Sequence, residues 1–432
     1  MAGMFALPGN LNAKNARSHT FAGTLRRTTF KCDQPMKIVI IHQYYKTPEE
    51  GGAIRSYYIA KHLAGLGHEV NVITAFNDKK YQVKKDGRVT VHYLPVYYTN
   101  HLSFLSRIHA FYRFVKKSID LFKKLQSVDL NYVITTPLTT GLIAQYAKRK
   151  YGTPYIFEVG DLWPDAPVSL GVLKNGLLKK LAYKLEKSSY KNSCELVALS
   201  PDIKSAIEQK VPGRNVEVIT NFADTAFFSP ADKRKSLLKK YAVENKFVIT
   251  YTGTVGMANH LEYLLDVAEL AQKNEKNIRF LIAGSGARWE AVREKAFKRE
   301  LGNITFIDFL DKEGVKEILN VSDAVFISFK NSPVLATGSP NKFFDGLAAG
   351  KLIIINFKGW INALVEKHRC GFSYPPENPQ AFLDQVEPYM NDPQLLHQAQ
   401  ASARQLAGDF TPATQLDKLT RLIERIEETQ RP

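Results

Sequence analysis

Short apolar runs alternate with amphipathic stretches along most of the chain. Met36–Ile41 reads MKIVII, a run typical of a buried parallel strand. A loop with Gly51 and Gly52 follows. Ile54, Tyr58, Ile59, Leu63 and Leu66 then recur at helical spacing, with Gly65 and Gly67 placed to end the helix. Further strands are predicted at Val70–Thr74, Val89–Leu94, Tyr132–Thr135, Tyr155–Phe157 and Leu196–Ser200. The rhythm breaks at Asn221–Pro230, NFADTAFFSP. It resumes with strands at Phe247–Thr252, Ile278–Ala283, Ile304–Phe306, Ala324–Ser328 and Leu352–Asn356. Alternating strands and helices imply an α/β fold with parallel sheets. A rhythm that runs twice implies two doubly wound, Rossmann-like domains facing a cleft. The expected division is 36–222 and 223–410, with a linker near 221–232 and a charged helix at Ala413–Glu428 within the tail 411–432.

Composition narrows the class. At 44% hydrophobic and 23% charged, the 432 residues are those of an ordinary globular chain, which excludes wholesale disorder. Cys32, Cys194 and Cys370 lie far apart and suggest neither a zinc site nor a disulfide framework, so a reducing compartment fits. No apolar run approaches the ~18 residues of a membrane span. Residues 1–35 have no acidic side chain before Asp33 and no apolar core of a secretory signal. They read as a disordered or non-native extension, although Arg17, Arg26 and Arg27 give some likeness to a transit peptide.

The net charge of +17 is unevenly spread: +12 falls in residues 36–220 and +1 in 221–432. Two helical stretches carry much of it. In one, Leu102, Leu105, Ile108, Tyr112, Val115, Ile119 and Phe122 recur at helical spacing beside Arg113, Lys117 and Lys124. In the other, Leu173, Leu177, Leu181 and Leu185 lie beside Lys180, Lys184, Lys187 and Lys191. Both are the basic amphipathic type that lies on anionic lipid, unless their apolar sides pack on the parent sheet. No recognised nucleic-acid module is present, so nucleic acid is not an expected partner.

Several loops could carry chemistry. Gly51-Gly52 before a helix lets backbone amides approach an anion, with Arg55 just beyond. YIFEVGDLWPDAP sets Glu158, Asp161 and Asp165 past a strand end, where a carboxylate faces the cleft; Asp161 is the sharpest candidate, and Trp163 could stack on a sugar or pack as core. TYTGTVGMANH places Gly253, Thr254, Gly256 and Asn259 between a strand and a helix, in a spacing that is neither GxGxxG nor a P-loop. In TGSPNKFFDGLAAGKLIII, Gly338 and Ser339 could donate to a diphosphate and Lys342 could neutralise it. Asp345, at i+3 from Lys342, could accept two hydrogen bonds from a ribose diol; a local Lys–Asp pair is the plainer alternative. Phe309 and Leu310 could pack on a base.

Together GGAIRSYYIAKHLAGLGHEV, DLWPD, ALSPDIKSAI, VITNFADTAFFSP, YTGTVGMANHLEYLL, FLIAGSG and SPNKFFDGLAAGKLII resemble glycosyltransferase family 4, of the two-Rossmann GT-B architecture, across roughly residues 36–425. The similarity is greatest to bacterial O-antigen and capsule transferases of the fucosamine transferase type. The resemblance implies retaining transfer from a nucleotide-diphosphate sugar held by the C-terminal domain to an acceptor held by the N-terminal domain. It implies no metal and no cofactor, a lipid-linked or glycan acceptor, and a cytoplasmic protein peripheral to the inner face of the cell membrane. Three positions depart from the family pattern. Asp345 stands at the second position of a Glu-x7-Glu motif and Thr337 at the first. Thr254 and Asn259 replace basic residues of the first donor-domain loop. Gly160 stands where many members have His, which leaves Asp161 as the polar catalytic candidate. A UDP-sugar 2-epimerase of the same architecture and a non-catalytic interaction subunit remain alternatives at this point.

Overall fold

A computed structural model describes residues 35–430 apart from Ala53, Asn100, His101 and Gln126. The expected extension 1–35 therefore lies outside the described residues except for Pro35. The first sheet is built from β1 Lys37–Ile41, β2 Glu69–Phe76, β3 Gln82–Asp86, β4 Val89–Pro95, β5 Leu130–Ile134, β6 Tyr155–Val159, β7 Glu195–Ala198 and β8 Val216–Val218. Its strand order is β3-β4-β2-β1-β5-β6-β7-β8, and every pairing is parallel except the antiparallel edge pair β3–β4. The second sheet comprises β9 Phe247–Thr254, β10 Ile278–Ser285, β11 Ile304–Ile307, β12 Ala324–Ile327, β13 Leu352–Ile355 and β14 Gly371–Ser373, in the order β11-β10-β9-β12-β13-β14.

Each predicted strand is present with ends shifted by at most two residues. The short edge elements β3, β8 and β14 were not predicted. Helices cover both faces of both sheets, which is why the inner strands are apolar on both sides. The strand order reverses between β1 and β5 in the first sheet and between β9 and β12 in the second, and ligands of such sheets bind at the carboxyl ends beside these reversals.

The chain crosses between the halves twice. Residues 219–224 lead into the second half, and residues 407–411 lead back, where the Ala223 amide donates to the Phe410 carbonyl at 2.8 Å. The last helix, Pro412–Gln430, then docks on the first half. Leu416, Leu419, Leu422, Ile423 and Ile426 pack against Ile38, Ile40, Ile59 and Leu63. Burying five such side chains contributes roughly 1.5–3 kcal/mol each. The sequence pattern gave no docking site for this helix.

The two basic helices leave apolar side chains in solvent. In Phe104–Phe122, Leu105 is 76% and Tyr112 63% exposed, while Phe114, Val115 and Phe122 are buried. In Gly176–Asn192, Leu177 is 67% and Leu181 53% exposed, and the buried positions are Glu186, Ser189 and Tyr190. Leu185 packs on the core of the first half, so Leu177 and Leu181 are the part of the leucine stripe left in solvent. No helix among the described residues is long and apolar enough to cross a membrane.

Candidate active site

A cleft of about 710 Å³ lies where the carboxyl ends of the two sheets face one another. From the first half, His42 and Tyr44 follow β1, Thr135 and Thr136 follow β5, and Asp161 and Trp163 follow β6. From the second half, Gly253 and Thr254 end β9, Gly284 lies near the end of β10, and Phe309 and Leu310 follow β11. Gly338, Ser339, Lys342 and Asp345 complete that wall.

The helix Asn341–Ala348 begins after Pro340 with no side-chain cap; the Phe343 amide returns to the Pro340 carbonyl, which leaves the Asn341 and Lys342 amides available to an anion at the cleft. The Lys342 ammonium sits 4.7 Å from the Tyr251 ring centroid instead of pairing with Asp345. Burial depresses its pKa to about 8, and the nearby Asp345 charge partly opposes the shift. Asp345 is pushed up to about 7, chiefly by burial; Lys312 and Lys342 oppose the rise and Asp224 adds to it.

Gly284 lets β9 and β10 close against one another at the cleft floor. A Cβ there would stand 1.9 Å from the Gly253 carbonyl oxygen, at a φ of +157°. Gly284→Ala is expected to cost roughly 1–3 kcal/mol of stability and to displace the Gly253 loop. Urea unfolding and nucleotide titration of the variant check this; unchanged behaviour in both would refute it.

Some predicted site residues are committed elsewhere. Arg55 donates from Nε to Glu158 Oε1 at 2.8 Å and from Nη2 to Glu158 Oε2 at 2.9 Å. It also donates to the Ile219 and Thr220 carbonyls and stacks on Phe222. It is a buried strut whose charge is paired with Glu158, and it lies at the edge of both the cleft and the adjoining cavity. Glu158 also accepts from the Tyr132 hydroxyl, so it is neither a solvated loop acid nor a free base. Asp165 pairs with Lys210 and accepts from Tyr183.

The glycine and amide candidates divide similarly. Gly51 packs on Phe309, where an added Cβ would meet the ring at 2.7 Å, and lines a small adjoining cavity, whereas Gly52 lines both that cavity and the main cleft. Gly338 spends its amide on Leu335 and its carbonyl on Trp360 Nε1, so it does not donate into the cleft. Ser339 has its carbonyl bound by Asn221 Nδ2 and its hydroxyl 3.5 Å from the Asn221 amide. Gly256 is bonded to Asn259 Oδ1 and does not line the cleft, and Asn259 also braces Ser328.

Asp161 opens its carboxyl into the cleft. Desolvation by the surrounding cleft walls raises its pKa although the side chain is exposed, and a hydrogen bond with Thr136 opposes the rise. His42 lies on the same wall, with Nδ1 2.8 Å from Ser56 Oγ. Burial lowers its pKa to about 4, so it is neutral at pH 7. Across the adjoining cavity, Lys312 of the second half bonds the Tyr58 hydroxyl of the first at 2.6 Å and also holds Asp224 of the crossing. Among the described residues no cluster of three or more His, Cys, Asp or Glu side chains is arranged to hold a metal ion.

The glycosyl transferase 4-like domain matches residues 50–221, and the glycosyl transferases group 1 domain matches residues 232–406. The chain is a family 4-like glycosyltransferase. A relative in Escherichia coli strain K12, described as a colanic acid biosynthesis glycosyl transferase, WcaI, is 24% identical over 346 residues, 75% of this chain and 84% of that protein. The alpha-D-kanosaminyltransferase of Streptomyces kanamyceticus is 18% identical over 56% of this chain and 63% of its own length. Sucrose-phosphate synthase from Thermosynechococcus elongatus shares the fold with a TM-score of 0.74 at 15% identity, over 91% of this chain and all of that one. HepE of Anabaena in complex with UDP-glucose shares it with a TM-score of 0.66 at 16% identity, over 90% and 100%.

Reading the transferase's sequence alone missed His42, Thr136, Tyr44, Asn221 and the Tyr58–Asp224–Lys312 bridge. His42 directly follows the first strand, and that position at the end of a switch-point strand was the available signal. Asn221 and Asp224 sit inside the NFADTAFFSP break, where polar residues read simply as linker.

Proposed function

We propose that the enzyme transfers a sugar, with retention and without a metal, from a UDP-linked donor to a polyprenyl-diphosphate-sugar or other glycan acceptor in surface polysaccharide synthesis. The observation that carries this reading is the pairing of Lys342, the adjacent uncapped helix start and Asp345 on one wall of the cleft with Asp161 and His42 on the other. Lys342 and the first amides of that helix meet the developing charge of the leaving diphosphate. Asp345, when ionised, accepts the ribose diol. Phe309 and Leu310 offer an apolar face to uracil. Asp161 orients the attacking hydroxyl, and the departing phosphate oxygen takes its proton. The description of the Escherichia coli relative and the UDP-glucose in the HepE complex support the pathway class and the donor. The exposed leucines beside lysines on both basic helices support a peripheral place on the inner face of the cell membrane.

Thermal unfolding with UDP-, GDP- and ADP-sugars in the presence of EDTA tests this. A UDP-sugar at 100 times its dissociation constant should add about 2.7 kcal/mol of stability, with the GDP and ADP forms well behind. Failure of every nucleotide sugar to stabilise the protein would defeat the proposal.

A further inference from the structure

The loop that leads into the helix Asn341–Ala348 is held from the first half. Val334, in the short helix Pro333–Ala336 just before the loop, packs against the core of the first half. Three successive carbonyls then accept from side chains. Ser200 Oγ donates to Thr337 at 2.6 Å, Trp360 Nε1 to Gly338 at 2.9 Å, and Asn221 Nδ2 to Ser339. Ser200 belongs to the first half and Asn221 to the first crossing. Trp360 belongs to the second half, but its amide donates to Asp202 Oδ2 of the first at 3.1 Å.

Holding three carbonyls in a row fixes the peptide planes that precede Pro340. Pro340 has no N–H, and its ring restrains φ, here −73°, so the chain direction set at Ser339 is passed on to Asn341. The Asn341 and Lys342 amides that face the cleft are thus aimed by contacts made outside it. Ser200 is fully buried and does not line the cleft. Its oxygen also accepts from the Ile203 amide at 3.0 Å and caps the helix Pro201–Lys210. One hydroxyl therefore ties a helix start of the first half to the loop before a helix start of the second. A change in nucleotide binding caused at Ser200 must travel through that loop.

We infer that Ser200, assisted by Asp202 and Asn221, is a positioning residue for the donor: from the first half it aims the Asn341 and Lys342 amides at the terminal phosphate of a nucleoside diphosphate. This role rests on the transfer reading above, and it makes the phosphate site the work of both halves. A hydrogen bond to a charged oxygen is strong and weakens steeply as its angle closes, so a small swing of the loop is felt first at that phosphate. The base, the ribose and the first phosphate do not depend on this helix start, and their binding should not sense the contact.

Isothermal titration of the full chain with UDP and with UMP tests this role. Wild type is expected to prefer UDP. Ser200→Ala should weaken UDP about fivefold, the worth of one hydrogen bond, and leave UMP unchanged, so the preference for the diphosphate shrinks. Asp202→Ala leaves the cap of the Pro201–Lys210 helix in place and frees the Trp360 amide; it should shrink the preference about threefold, and it serves alone where Ser200→Ala does not fold. Asp202→Asn keeps an oxygen for that amide and should retain the wild-type preference. Equal weakening of UDP and UMP would mark a general loosening and overturn the role. An unchanged preference in the alanine variants overturns it too, as does a wild type that binds UDP no better than UMP. A wild type that binds neither nucleotide overturns the transfer reading instead.

Discussion

Asp345→Asn is expected to abolish nucleotide-sugar binding while making the folded protein more stable above neutral pH. The carboxyl is held at about 7 in the folded chain, mainly by burial, against an ordinary value of 3.8. Between those values the folded state keeps a proton that the unfolded state has lost. Stability from this group is therefore fully present below pH 3.8 and falls as pH rises toward 7, by an amount on the order of a few kcal/mol. Asparagine carries no charge to bury, so the variant should exceed wild type above pH 7, and the gap should close toward pH 4. Binding runs the other way. The ribose diol needs the ionised carboxylate, which forms as pH rises through about 7, and the diphosphate needs protonated Lys342, which is lost above about 8. Donor affinity in the wild type should therefore peak between these values and decline on both sides. Thermal unfolding across pH 5–9, with and without UDP-sugar, reads both effects. A variant that binds donor normally, or is less stable than wild type at pH 8, would remove Asp345 from the role assigned to it.

The second large effect concerns the strut below Asp161. Arg55 and Glu158 are almost fully buried, joined by two hydrogen bonds, and Tyr132 completes the carboxylate's partners. Glu158→Gln or Arg55→Met leaves one charge unpaired in the interior. Such losses cost about 3–5 kcal/mol, whereas replacing both partners by apolar groups of similar volume is often neutral. The paired change Arg55→Met with Glu158→Met should thus recover most of the stability lost by either single change. It should not recover full turnover, because Arg55 also holds the Ile219 and Thr220 carbonyls at the first crossing and Glu158 lies three residues before Asp161. Urea midpoints together with transfer rates would decide this. Single variants within about 1 kcal/mol of wild type would show that the pair contributes little.

The sequence exposed some of this and hid the rest for physical reasons. Inner parallel strands such as LIII in β13 are buried on both faces and therefore read as uninterrupted apolar runs. Strand β3, QVKKD, is an edge strand with one partner and mostly solvated side chains, so its composition carries no such mark. Strands β8 and β14 have three residues each, too few for a period to register. Lys342 and Asp345 could be read because one turn of helix relates them. Arg55 and Glu158 are 103 residues apart, and Tyr58 and Lys312 are 254 apart. Partnerships of that kind are set by topology, and a lone chain offers no spacing from which to infer them. The sequence shows Arg55 only as a cation after a glycine pair and gives no sign of its partner Glu158.

The return of the chain to its first half governs how the molecule can be recombined. The segment that completes the hydrophobic face over Ile38 and Ile40 follows, in the chain, everything that forms the second sheet. A chimera that exchanges residues 223–432 as one block would therefore give the recipient a foreign closing helix and leave Ile59 and Leu63 with an unmatched lid. A graft that stops near residue 406 and restores the native final helix keeps each interior with its own covering. Any exchange of sugar-nucleotide specificity between such enzymes accordingly needs two junctions, one in each strand of the double tether.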